Sequence, residues 1–175
     1  MNWRLFYTFP RIPGRPKMIR YAAMDLWLVR HGEAVPENVD PSRPLSAEGF
    51  RWISEVASVL ACRIGNIDLV AASGKLRARQ TAQILAASAG YPSDRIAETS
   101  ALSPGASPEA FLEFLEEQKG NGTILCAGHL PSIAHIASCL LSAGDPVRLV
   151  FNPGTACLIR LSSIRRGAGE LVFLY

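Results

Sequence analysis

Apolar positions along this chain change period from segment to segment, and each change marks an element. Residues 25–29, DLWLV, form a short apolar run that reads as a buried strand. From 46 to 65 the apolar residues Phe50, Ile53, Val56, Val59 and Leu60 recur at helical spacing, with Ser46 placed to cap the start and Gly65 the end. IDLVAAS (67–73) is the next strand, and RARQTAQILAASAGY (77–91) a second helix closed by Gly90. After a short strand near Ile96, Ser107 supplies a cap, Pro108 the first helical position and Glu109 a first-turn acid for SPEAFLEFLEEQ. TILCAG (123–128) is a strand and PSIAHIASCLLSAG (131–144) a helix, and strands joined by turns account for 147–163 and 170–175. Trp27 and Trp52 are expected in the core. Strands and helices in alternation predict an α/β fold, a three-layer αβα sandwich whose mostly parallel central sheet carries helices on both faces. Ligands of such sheets collect at the carboxyl ends of the strands.

The leading segment, MNWRLFYTFPRIPGRPKMIRYAA (1–23), stands outside the pattern. Its middle, rich in Arg, Pro and Gly, suits neither helix nor strand, and its apolar residues never make the long run of a secretion signal. Its poverty in Ser argues against organelle targeting. We read it as an N-terminal extension, a flexible arm or a start placed too early, with Met24 a natural start. The folded domain is then 24–175, and the 175 residues at 49% hydrophobic content suffice for one domain with a sizeable core.

Charge and cysteines narrow the classes further. The net +3 rests on the extension, which holds Arg4, Arg11, Arg15, Lys17 and Arg20 and no acid; the rest has 13 basic against 15 acidic residues. A nucleic-acid footprint needs clustered cations on the domain itself, so no nucleic acid is expected as a partner. No apolar run approaches the roughly 18 residues of a membrane span, so no membrane is expected either. Cys62, Cys126, Cys139 and Cys157 lie far apart without zinc spacing, which reads as free thiols in a reducing compartment, the cytoplasm.

The candidate chemistry sits at three strand ends. Arg30 and His31 follow the first strand, Ser73 to Arg77 the second, and Gly128-His129 a later one. Alone, each has an ordinary reading: Arg30 a surface cation, Arg77 a helix cap or a partner of Glu98, His129 a packed core histidine. Together they gather two guanidiniums and two imidazoles around one crevice, which is unfavourable unless an anion completes it. A phosphoryl group fits, since Arg forks match its oxygens and helix N-termini donate N–H groups to it. SGKLR lacks the earlier glycine and the hydroxyl of a P-loop. There is no Gly-x-Ser-x-Gly elbow, and His135 lies six residues past His129 without metal-site spacing.

These residues resemble the histidine phosphatase superfamily, also called phosphoglycerate-mutase-like, whose signature is Arg-His-Gly after the first strand. The resemblance covers about 24–175 and includes Arg30-His31-Gly32, RPLSAEG (43–49), SGKLRARQTA (73–82) and GHLPSI (128–133). In length and wording the chain is most similar to the small bacterial phosphohistidine phosphatases. The resemblance implies that His31 is the nucleophile that takes the phosphoryl group, and that Arg30, Arg77 and His129 hold its oxygens. It places Gly32 and Ser46 among the substrate-binding positions and implies neither metal nor other cofactor. Relatives often have Pro where this chain has Gly74. Mutases and phosphomonoesterases of the family carry a carboxylic acid after the Arg77 block, for which Glu98 and Glu109 are available. Glu33, beside the nucleophile, is a further proton donor or an orienter. An imidazole leaving from a phosphoramidate needs no dedicated acid, so the expected function is hydrolysis of phosphohistidine on a protein, in signal transduction, by a monomer. The alternatives are a phosphatase of small phosphorylated metabolites and a non-catalytic phosphate-binding module, which would keep Arg30 and Arg77 but need no nucleophile.

Overall fold

The computed structural model describes residues 23–175, so the expected extension lies, but for Ala23, outside the described residues. The chain runs β1 (Met24–Arg30), α1 (Ala47–Ala61), β2 (Leu69–Ala72), α2 (Leu76–Ser88), β3 (Ala97–Glu98), α3 (Pro108–Glu117), β4 (Thr123–Gly128), α4 (Ser132–Leu141), β5 (Ala156–Leu161) and β6 (Gly169–Leu174). The sheet order is β3-β2-β4-β1-β5-β6. The first four strands are parallel, and β5 and β6 run antiparallel at one side.

Helices cover both faces, as the alternation predicts. Successive side chains of a strand point to opposite faces, and β1 sorts accordingly: Leu26 and Leu28 join a core with Phe111, Leu115, Ile133 and Leu140 of α3 and α4. Trp27 and Val29 join the opposite core with Ile53, Val56 and Leu60 of α1 and Leu85 of α2. All twelve of these side chains are 0 or 1% exposed. Each contributes about 1.5–3 kcal/mol through burial.

The caps fall where their chemistry places them. Ser46 Oγ accepts from Gly49 N at 2.9 Å and Ser107 Oγ from Ala110 N at 3.2 Å, each worth about 1 kcal/mol. Gly90, at φ 69°, follows α2; its N–H donates to the Ala87 carbonyl and that of Tyr91 to Ala86, so the left-handed residue closes the helix as expected.

Three expectations are corrected. First, α1 stops at Ala61 with Cys62 as its cap rather than at Gly65. The N–H groups of Arg63 and Ile64 both turn back to the Leu60 carbonyl, which brings Ile64 into the core. Second, Trp52 is 41% exposed. The inward stripe of α1 is Ile53, Val56 and Leu60, and Trp52 lies on its flank, stacked on Tyr175 and donating from Nε1 to the Pro153 carbonyl at 3.2 Å. Third, residues 147–151 form no strand. That stretch is a connection that buries Phe151 and hands its carbonyl to Arg30.

Cys126, Cys139 and Cys157 are buried free thiols and Cys62 an exposed one. No described helix is long and apolar enough to cross a membrane.

Candidate active site

The order β2-β4-β1 sets three carboxyl ends side by side. Beyond them the main chain stays linked: Ser73 N donates to the Ala127 carbonyl at 3.2 Å and His31 N to the Gly128 carbonyl at 3.0 Å. Ser73, His129 and the Arg30-His31 pair thus meet over one end of the sheet, which is what their positions in the sequence predict.

His31 is held in one tautomer. Its Nδ1 lies 2.6 Å from the Gly32 carbonyl, which can only accept, so Nδ1 carries the proton. Nε2 therefore presents a lone pair, and the Nε–H of Arg77 donates to it at 3.1 Å. Burial pushes the imidazole down to about 4 against the pull of the Gly32 bond, with Arg77, Arg30 and Arg43 adding to the fall. A neutral ring with an unprotonated Nε2 is a competent nucleophile at physiological pH once Arg77 exchanges this bond for one to an arriving phosphoryl oxygen. Arg77 therefore does not pair with Glu98 and is more than a helix cap.

His129 is 2% exposed, with its ring centroid 4.8 Å from that of His31. Its Nε2 lies 2.6 Å from Ser73 Oγ, and its buried Nδ1 has no partner among the described residues. Burial, then His31, Arg77, Lys75 and Arg43, push it down to about 3. On the other flank Arg30 donates from Nη1 to the Phe151 carbonyl at 2.6 Å, and its buried Nε has no partner among the described residues.

The first turns of α2 organise these loops. Positions 77, 80 and 81 share one helix face, and each reaches a different part of the site. Gln80 Oε1 accepts from Leu45 N at 2.7 Å. Thr81 Oγ1 accepts from Gly32 N at 3.1 Å and donates to the Arg77 carbonyl at 2.8 Å. Gly32 has no room for a side chain, since a Cβ there would lie 2.6 Å from Ile53 Cγ1. Ser46 anchors the next loop by its main chain, its N–H donating to the Glu33 carbonyl at 2.9 Å, while its hydroxyl is taken by the α1 cap.

Arg43 escaped the reading of the sequence. It stands at φ 50°, a left-handed conformation costly for a residue with a side chain, and its buried Nε has no partner among the described residues. Its charge helps hold His31, His129 and Arg77 below their ordinary values. The signal was a cation inside RPLSAEG, between the first strand and its helix; nothing local shows that the backbone turns it toward the histidines.

The carboxylates separate. Glu33 is exposed and borders a hollow with Glu48, Arg51, Trp52, Glu55 and Pro153, on the α1 side. Glu109 pairs with Arg166 at 2.9 Å on the surface. Glu98, at the end of β3, lies over Gly74: a Cβ on Gly74 would be 2.4 Å from Glu98 Oε1, so this glycine leaves room for the carboxylate. Glu37 is near enough to act on Arg77, opposing the fall caused by burial. His135 is exposed on α4, away from the cluster.

Residues 26–102 match the model of the histidine phosphatase superfamily, branch 1. An uncharacterized protein of Picosynechococcus sp. is 33% identical over 122 residues, spanning 67% of this chain and 73% of that relative. Among solved structures, the protein histidine phosphatase SixA complexed with tungstate shares the fold with a TM-score of 0.75 at 23% identity, over 86% of this chain and 96% of the other. The mycobacterial glucosyl-3-phosphoglycerate phosphatase does so with a TM-score of 0.64 at 14% identity, over 86% and 97%.

Proposed function

From the premise that this chain belongs to the histidine phosphatase superfamily, we propose that it is a phosphatase that carries the phosphoryl group on His31 and that its substrate is phosphohistidine on a protein. The observation that carries the reading is the pair of bonds on His31, Nδ1–H to the Gly32 carbonyl and Arg77 Nε–H to Nε2. They support Nε2 as the attacking nitrogen and put a cation beside it.

The steps follow from that geometry. The Nε2 lone pair attacks phosphorus in line with the leaving nitrogen, the P–N bond of the substrate breaks, and the departing imidazole takes its proton from solvent. Arg77, Arg30 and Arg43 neutralise charge on the equatorial oxygens, and His129 donates to one of them. Water then attacks the phosphorus of the phosphorylated His31, releasing inorganic phosphate and restoring the neutral ring. The arginines supply the charge neutralisation that a metal would otherwise give, so turnover is expected to persist in EDTA. The likeness to SixA, described as a protein histidine phosphatase, supports the choice of substrate, and the buried free thiols support a cytoplasmic setting.

A second reading keeps the chemistry and takes a small phosphomonoester, as the mycobacterial glucosyl-3-phosphoglycerate phosphatase of like fold does. The placement of Glu98 over Gly74 favours it, because an alkoxide leaving group needs a proton donor. One experiment separates them: turnover of a phosphohistidine protein, an alkyl phosphate and p-nitrophenyl phosphate by wild type and by Glu33→Gln, Glu98→Gln and Glu109→Gln. Phosphohistidine turnover that survives every substitution supports the first reading. A loss of about 10² to 10⁴ on the alkyl phosphate that shrinks on the activated ester would identify an acid and overturn it.

A further inference from the structure

Among the described residues Ser73 is the one buried hydroxyl hydrogen-bonded to a histidine of the site, and the mechanism above gives it no task. It is 0% exposed, with Oγ 2.6 Å from His129 Nε2. The same oxygen accepts a longer bond from Lys75 N at 3.4 Å. Among the described residues the hydroxyl proton has a single acceptor, His129 Nε2.

Counting donors and acceptors decides the tautomer. If Nε2 carried the proton, it would donate to Oγ, the Ser73 proton would have no acceptor, and the buried Nδ1 lone pair would have no donor. That leaves two orphaned groups in one buried dyad. If Ser73 donates to Nε2, the proton of His129 sits on Nδ1, and the only orphan is that N–H. Buried polar groups are nearly always satisfied, and a lone N–H beside the nucleophile is satisfied once a phosphoryl oxygen arrives. Nδ1 is indeed the atom without a partner, on a ring 4.8 Å from that of His31.

We propose that Ser73 is a positioning residue that donates to Nε2 of His129 and so fixes its proton on Nδ1, making a neutral imidazole a ready hydrogen-bond donor to the phosphoryl group. The inference rests on the reading of His129 as a phosphoryl ligand but makes a claim of its own about where a proton sits. The two catalytic rings then share the Nδ1–H tautomer for opposite purposes. In His31 a carbonyl holds the proton on Nδ1 and so leaves Nε2 unprotonated; in His129 a hydroxyl occupies Nε2 to leave an N–H on Nδ1. The low value of about 3 for His129 agrees, since a ring that stays uncharged has a tautomer to fix.

The test is a two-bond proton–nitrogen NMR correlation on histidine-labelled protein, which separates the two neutral tautomers from each other and from the imidazolium. With only three histidines in the chain, single substitutions assign the signals. In the wild type at neutral pH His129 is expected as the Nδ1–H form, and in Ser73→Ala a mixture enriched in Nε2–H is expected. Ser73→Thr, which keeps the hydroxyl, is expected to retain the wild-type tautomer. Inorganic phosphate is expected to shift the Nδ1 signal, and to bind about tenfold more weakly to Ser73→Ala, a fraction of the loss on removing a charge-stabilising donor outright. A wild-type His129 in the Nε2–H form, or one whose tautomer Ser73→Ala leaves unchanged, would overturn the proposal. The tautomer is read without turnover, so a protein that shows it but hydrolyses no phosphohistidine would defeat the proposed function and leave this inference standing.

Discussion

Gly49 offers a contest between two effects of opposite sign. It lies in the first turn of α1, where Ala is the better helix former by about 1 kcal/mol, so propensity alone makes Gly49→Ala stabilising. Packing argues the reverse. A Cβ at this position would lie 2.1 Å from the Glu33 carbonyl oxygen and 2.9 Å from the Glu33 carbonyl carbon and nitrogen. The obstacle is main chain, with no flexible end to swing away, and it is pinned by Ser46 N on Glu33 and by Thr81 on Gly32. Relief requires the helix and the loop to part by more than about 1 Å, an overpacking cost at the upper end of about 1–3 kcal/mol. The helix gain offsets a third of that, leaving a net loss of about 2 kcal/mol, or a Tm lower by about 4–8 °C for a domain of this size. The same displacement carries His31, two residues before Glu33, and a misplacement of about 1 Å costs about 10²-fold in rate. Urea unfolding and p-nitrophenyl phosphate kinetics on the one variant measure both. A Gly49→Ala protein more stable by about 1 kcal/mol with unchanged kcat/KM would refute the reasoning.

Three further outcomes are expected. Arg43→Ala should lower kcat/KM by about 10²-fold, as for loss of a charge-stabilising donor, and Arg43→Gly, which suits the left-handed backbone, should do the same while keeping or raising Tm; full activity in either would remove Arg43 from the site. In an NMR titration of the phosphate-free protein the His31 ring should protonate near pH 4, below its ordinary 6.5, and a midpoint at or above 6.5 would contradict its burial beside the arginines. Because the unfolded chain takes up that proton first, the His31 contribution to stability is fully present above pH 6.5 and is lost as the pH falls toward about 4, so unfolding free energy followed by urea titration should decline over that window and decline less in His31→Ala.

The layers, the three loops and the histidines with Arg30 and Arg77 were legible because each rests on a local signal. Alternation places strands, Ser46 and Ser107 have cap chemistry, and Arg-His-Gly follows an apolar run. What was not legible depends on partners distant in sequence. Trp52 has an apolar side chain at a helical position, but the stripe that faces the sheet passes through Ile53, and only the fold says which side that is. VRLVF reads as a strand by composition, yet β1 already pairs with β4 and β5, so this stretch finds no free edge beside it. Arg43 needed a positive φ that no residue type announces except glycine. Gly74 reads as a loosened turn until the Glu98 carboxylate is seen beside it, 24 positions along the chain.

The central claim is a phosphoryl group carried on Nε2 of His31. Rapid acid-free quenching of the enzyme during turnover of a radiolabelled phosphohistidine protein, followed by proteolysis, locates any covalent intermediate. The account predicts a label that is stable to base and labile to acid, on the peptide containing residues 28–34, and absent from His31→Ala along with turnover. Wild-type turnover in His31→Ala, or a label found on another residue, would contradict it.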